Sequence, residues 1–279
     1  MEDLQQDDSL TLSPLQEECY NLLKAKQFRS CELLALMDLS TRQKEGGDVL
    51  VTLALLGDCA MMTKQYNKAI SFYRQIDSNK YRLKEAQCLR ELGTIVEASS
   101  VLETIAPSER DLTVWMTLAQ LYVASGQTKL AADCFLSSLY RNPMTLEAIE
   151  WLTTLKHTDK MVVLDTVDKG FKMMEEDGET VDPTMVATTK EFTSALFAKS
   201  QHLTSLAMQN FMALNKKFPN NVYIMLQIAI LQHQSNDEAG AARTFANVRR
   251  LNKCTVDYMD LYAQILARQN NMDALNELV

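Results

Sequence analysis

Three columns of residues recur every 34 positions between residues 188 and 279: Ala195, Ala229 and Ala263; Ala207, Ala241 and Leu275; Phe211, Phe245 and Val279. A period of that length belongs to a pair of secondary elements, and a chain written in such units must stack them, because one unit cannot enclose its own apolar face. The same register runs earlier in the chain. Ala86 precedes Ala119 by 33 residues, and Gly57 stands 12 residues before Ala69 as Ala119 stands 12 before Ala131.

The clearest unit is 112–145. Trp115, Leu118, Ala119 and Tyr122 fall at i, i+3, i+4 and i+7, which puts two rings, an aliphatic and a small residue on one helical face. Gly126 offers a residue able to take positive φ past the helix end, a second period follows through Ala131, Phe135, Ser138 and Leu139, and Pro143 closes the unit. This resembles the tetratricopeptide pattern W-x2-L-G-x2-Y…A-x3-F…P. The resemblance implies an all-α fold, a superhelix of stacked helix-turn-helix hairpins. Small residues such as Ala119 and Ala131 are needed where the paired helices cross. Trp115, Tyr122 and Phe135 would each bury roughly 150–250 Å², an upper bound of about 4–6 kcal/mol apiece, which requires neighbouring hairpins.

In chain order, residues 1–13 read as a flexible acidic arm, and Pro14 starts a helix. Residues 14–49 read as a degenerate first repeat and loop, with the polar tract TRQKEGGD at 41–48 as a flexible insertion. Three repeats follow over 50–145. Residues 146–187 form a long, irregular repeat with an acidic turn, EEDGETVDP, that lacks the alternating carboxylates of a calcium loop. Two repeats and a shortened third occupy 188–279. An apolar column reaching Val279 leads to the expectation that the array continues beyond it.

The net charge is −8, and the basic residues are scattered. A nucleic-acid surface needs a Lys/Arg stripe, so none is expected. The pairs Lys216–Lys217 and Arg249–Arg250 fall where second helices should end and offset the helix dipole. Six single cysteines, at 19, 31, 59, 88, 134 and 254, read as reduced core thiols. No 18-residue apolar run predicts a membrane span, and no leader pattern opens the chain.

No phosphate loop, dinucleotide fingerprint, zinc-protease helix or nucleophile elbow is present, and the histidines at 157, 202 and 233 are far apart in sequence. Neither catalysis, cofactor, metal nor a small-molecule substrate is expected. The fifteen methionines suit core and groove filling. A stacked array offers instead a groove lined by its first helices. The candidate lining is Met116, Gln120 and Val123; Phe192, Leu196 and Lys199; Leu226, Ile230 and His233; and Asp260, Gln264 and Arg268. It has few of the Lys, Arg and Asn groups with which chaperone-binding repeats hold a terminal carboxylate. These side chains could equally pack on the next turn or on a second subunit.

Over about 75–279, the segments KYRLKEAQCLRELG, IAPSERDLTVWMTLAQLY, FLSSLYRNPMTLEAIEWLTTL, FPNNVYIMLQIAILQ and VRRLNKCTVDYMDLYAQILARQNNMDALNELV resemble the subunit 7 family of the anaphase-promoting complex. The first 75 residues match only in organisation. The resemblance implies a non-catalytic scaffold of a cell-cycle ubiquitin ligase in nucleus and cytoplasm. It also implies docking on other tetratricopeptide subunits and a homodimer joined through the amino-terminal repeats, here about 15–111. The alternative reading is a generic tetratricopeptide adaptor that binds short peptides of a chaperone or transport assembly.

Overall fold

The computed structural model describes residues 12–276 and residue 278. Most of the expected amino-terminal arm and the column residue Val279 therefore lie outside the described residues. Among the described residues there are sixteen α-helices and no strand.

The helices alternate as hairpins: α1 (Pro14–Lys24) with α2 (Phe28–Glu45), α3 (Leu50–Met62) with α4 (Tyr66–Tyr73), and α5 (Asn79–Glu91) with α6 (Ile95–Glu103). After a 3₁₀ turn at Pro107–Glu109 come α7 (Leu112–Ala124), α8 (Thr128–Arg141), α9 (Leu146–Leu155) and α10 (Lys160–Glu176). The last six are α11 (Pro183–Ser200), α12 (Thr204–Lys217), α13 (Val222–Gln234), α14 (Glu238–Leu251), α15 (Met259–Arg268) and α16 (Met272–Asn276). They fall into two compact units, Met1–Ala131 and Ala132–Val279.

Helix starts follow local chemistry. Ser13 accepts from the Gln16 backbone while Gln16 reaches back to Ser13, a reciprocal cap that places Pro14 in the first turn. Asp111, Asp182 and Asn221 cap α7, α11 and α13 through their side-chain oxygens. Hairpin turns share one device. The second residue after the first helix takes positive φ at Lys26, Lys64, Gly93, Gly126, His202, Asn236 and Asn270. The next amide then bonds back five residues, as Gln127 N does to Tyr122 O at 2.8 Å and Asp237 N to Gln232 O at 2.9 Å. Glycine fills only two of those seven turns.

Small residues line both sides of the hairpins. Ala86, Ala119, Ala195 and Ala229 on first helices, and Ala69, Ala98, Ala131, Ala207 and Ala241 on second helices, are fully buried. The rings Tyr73, Phe135, Phe211 and Phe245 are buried beside them, as are Leu118 and Tyr122. Second-helix rings also join one hairpin to the next. Tyr73 stacks on Tyr81 at 5.8 Å, Phe135 on Trp151 at 6.0 Å and Phe245 on Tyr262 at 5.3 Å.

Four expectations need correction. Trp115 is only half-buried and carries the Arg110 guanidinium 4.8 Å from its ring centroid, so it is a rim residue rather than a core one. Ala263 is also only partly covered. The tract at 41–48 is mostly helix: Arg42 pairs with the buried Asp38 carboxylate at 2.7 Å and holds the Asp48 carbonyl at 3.2 Å, carrying α2 to Glu45 before Gly46 turns left-handed. The cysteines are all free, and five are buried, but Cys254 is exposed. Burial pushes the Cys19 thiol up to about 12.

Candidate functional site

Within Ala132–Val279, first helices line an open cavity of about 350 Å³. Glu150 and Thr153 come from α9, Lys199 from α11, and Tyr223 and Gln227 from α13. Tyr223 Oη donates to Glu150 Oε1, joining α13 to α9, and Lys199 Nζ donates to Gln227 Oε1, joining α11 to α13. The Phe192 ring backs Tyr223, with centroids 5.8 Å apart. Burial holds the Tyr223 phenol above its ordinary range, reinforced by its bond to the Glu150 carboxylate. Burial also lowers the Lys199 ammonium, against the pull of Glu150. The arrangement is a wall of hydrogen-bonding groups in which the Glu150 carboxylate and the Lys199 ammonium are each held by a neutral side chain.

Structure and expectation differ over the groove. Phe192, Leu196, Leu226 and Ile230 are buried. Leu196 and Lys199 line the cavity just described. Met116, Gln120, Val123 and His233 are partly buried, and Gln120 accepts from Arg90 at 3.4 Å. Asp260, Gln264 and Arg268 are exposed, with Arg268 paired to Glu238 at 2.8 Å. Tyr223, Gln227 and Glu150 were missed. Glu150 lies on α9 and Tyr223 and Gln227 lie on α13, where Gln227 stands four residues from Tyr223 and so on the same helical face.

A second cavity, of about 220 Å³, lies within Met1–Ala131, also against first helices. Leu23, Phe28 and Met61 give it apolar walls, and Lys24, Lys26, Lys80 and Lys84 bring four ammonium groups. Asp58 is the carboxylate of the lining, and Lys84 holds it at 2.7 and 2.9 Å while Tyr73 Oη donates to it at 2.6 Å. Burial, then the Asp58 charge, raise the Tyr73 phenol far above its ordinary range.

Among the described residues no group of three or more His, Cys, Asp or Glu could hold a metal ion, and no helix is long and apolar enough to cross a membrane. Lys216–Lys217 and Arg249–Arg250 sit in the last turns of α12 and α14.

No family model matches the chain. It is 25% identical over 204 residues to anaphase-promoting complex subunit 7 of Arabidopsis thaliana, covering 73% of this chain and 36% of that protein. It is 21% identical over 294 residues to the Dictyostelium discoideum subunit 7, covering 92% and 50%. The chain thus spans between about a third and half the length of the curated relatives it matches. Among solved structures, a tetratricopeptide repeat protein from Parabacteroides merdae superposes with a TM-score of 0.51 at 17% identity, covering 92% of this chain and 86% of that one. The chain has the all-α tetratricopeptide-repeat fold, and along most of its length its sequence is similar to anaphase-promoting complex subunit 7.

Proposed function

We propose that the chain is a non-catalytic scaffold of the anaphase-promoting complex, holding other tetratricopeptide subunits and pairing with a second copy through residues 15–111. The observation that carries this reading is the similarity to subunit 7 across 71–92% of the chain, together with a fold of helical hairpins among the described residues. Pairing is supported by α2, where Leu33, Leu36 and Met37 form an exposed apolar row at i, i+3 and i+4. The division of the array at 1–13, 14–49, 50–145, 146–187 and 188–279 belongs to the same proposal, as does a place in nucleus and cytoplasm.

The test is purification of the tagged chain from cells at native abundance. Stoichiometric recovery of the ligase's other repeat subunits and its cullin-like subunit is expected. Recovery of the chain without them overturns the reading.

The adaptor reading in which Lys199 and Arg268 hold a free carboxyl terminus is disfavoured, since those cations already face Gln227 and Glu238.

A further inference from the structure

We propose that Cys19 on α1 and Cys31 on α2 form an oxidation site: a small-molecule disulfide such as oxidised glutathione converts the pair into a disulfide that fastens the first hairpin, and α1 must lift for the reaction to begin. This inference does not rest on the ligase assignment.

The first observation is where the two cysteines stand. In five other hairpins the helix crossing is marked by two small residues 12 positions apart: Gly57 and Ala69, Ala86 and Ala98, Ala119 and Ala131, Ala195 and Ala207, Ala229 and Ala241. Cys19 and Cys31 hold that same spacing in the first hairpin. The two main chains meet there, since Cys31 Sγ donates to Cys19 O at 3.1 Å and Cys19 Sγ reaches Cys31 O at 3.9 Å. Sulfurs that contact each other's carbonyls belong to backbones near enough to be bridged, a disulfide spanning Cα atoms roughly 4.4–6.8 Å apart.

The second is a third sulfur. Cys59 on α3 lies in the same buried cluster, and the Cys31 thiol is within hydrogen-bonding reach of the thiols of both Cys19 and Cys59. Size alone lets a cysteine replace alanine in a helix crossing. Three sulfurs in mutual contact across three helices exceed what packing requires, and they place Cys31 at the centre.

The third is what keeps the closed hairpin inert. All three residues are buried. Burial pushes the Cys19 thiol up to about 12, and its hydrogen bond to Cys59, then burial, push Cys31 higher still. The thiolate is the nucleophile, so the packed pair does not react. Helix α1 is the outermost described helix, docked on α2 and α3, and elements at the end of an array open more readily than those within it.

With α1 lifted, Cys19 gives its proton to water and attacks one sulfur of oxidised glutathione, expelling the other half as a thiolate. When α1 returns, Cys31 loses its proton and attacks Cys19 Sγ, displacing the second glutathione. One sulfur–sulfur bond is broken and one is made. Two cysteine thiols are oxidised, and the glutathione disulfide is reduced to two thiols that take up the two protons. The bridge restricts the unfolded chain, so the oxidised protein melts higher.

The experiment uses the full chain with Cys254→Ser, which removes the exposed thiol, incubated with oxidised glutathione. Mass spectrometry should find a chain lighter by two hydrogen atoms with Cys19 joined to Cys31, and its thermal midpoint should exceed that of the same protein in dithiothreitol. Gln16→Ala removes the bond from α1 to Thr52 and half of the reciprocal cap at Ser13. It should speed bridging by about tenfold. Cys59→Ala should still form the bridge. Cys19→Ala/Cys31→Ala restores the alanine pair of the other hairpins and should keep its helicity by circular dichroism while its midpoint ignores the oxidant. The proposal is overturned if the chain stays reduced or accumulates only as a glutathione adduct, if the bridge joins Cys31 to Cys59, if the bridged form melts no higher, or if Gln16→Ala leaves the rate unchanged.

Discussion

Gly57 on α3 faces the ring of Tyr73 on α4 so closely that a Cβ built on the glycine would lie 2.4 Å from Tyr73 Cε1. The ring cannot easily swing aside. Its hydroxyl is bonded to Asp58 at 2.6 Å, its face stacks on Tyr81, and the residue is buried. Helix propensity alone would favour alanine at this position by about 1 kcal/mol. The steric term wins, so Gly57→Ala should destabilise the protein by about 1–3 kcal/mol in urea titration. A neutral or stabilising result would mean that the two helices are not pressed together here.

Lys64 takes φ 61° in the turn between α3 and α4, where the Gln65 amide bonds back to Ala60 O at 2.8 Å. A left-handed backbone costs a residue with a Cβ roughly 1–2 kcal/mol, and glycine returns about 0.5–1 kcal/mol of that through unfolded-state entropy. Lys64→Gly should therefore raise stability by about 0.5–1 kcal/mol, read as a higher thermal midpoint.

Thr52 is fully buried and bridges three helices of the first unit: Gln16 Nε2 donates to its hydroxyl at 3.1 Å, and the hydroxyl donates to Asp38 Oδ2 at 2.5 Å. Thr52→Val keeps the shape and removes the bridge. A loss of about 1–3 kcal/mol is expected from the stranded partners. Thr52→Ser, which retains the hydroxyl, should lose less in the same denaturation series.

Lys199 gives the pH prediction. Burial holds its ammonium below the ordinary 10.5, so the folded state releases this proton at lower pH than the unfolded chain does. Stability linked to Lys199 therefore rises as pH increases through the folded-state value towards 10.5, and the burial cost is fully present below that window. Lys199→Met should remove this alkaline gain. The stability difference between the two proteins should shift in favour of the lysine form as pH approaches 10.5, read from urea midpoints.

Much of the fold was legible because a small residue in a helix crossing leaves a periodic mark. Ala195, Ala229, Ala207 and Ala241 announced their hairpins, and all four are buried. The turns were less visible, since Lys26, Lys64 and His202 adopt a conformation for which glycine is the usual signal, held there by the backbone bond that closes each hairpin. The groove was least legible. A first helix turns one face to its partner and another to the next hairpin, and a shift of one residue exchanges apolar Leu226 for the buried amide of Gln227, which lines the cavity. The lysines of the cavity in the amino-terminal unit come from three elements, and no spacing along the sequence brings them together.

The account holds that this chain acts by joining protein to protein, beginning with its own second copy along α2. Light scattering on the purified chain tests that most directly. A mass twice the 31.6 kDa of one chain is predicted, falling to a single chain in Leu33→Glu/Met37→Glu with unchanged helicity. One chain mass for both proteins at every concentration would contradict it.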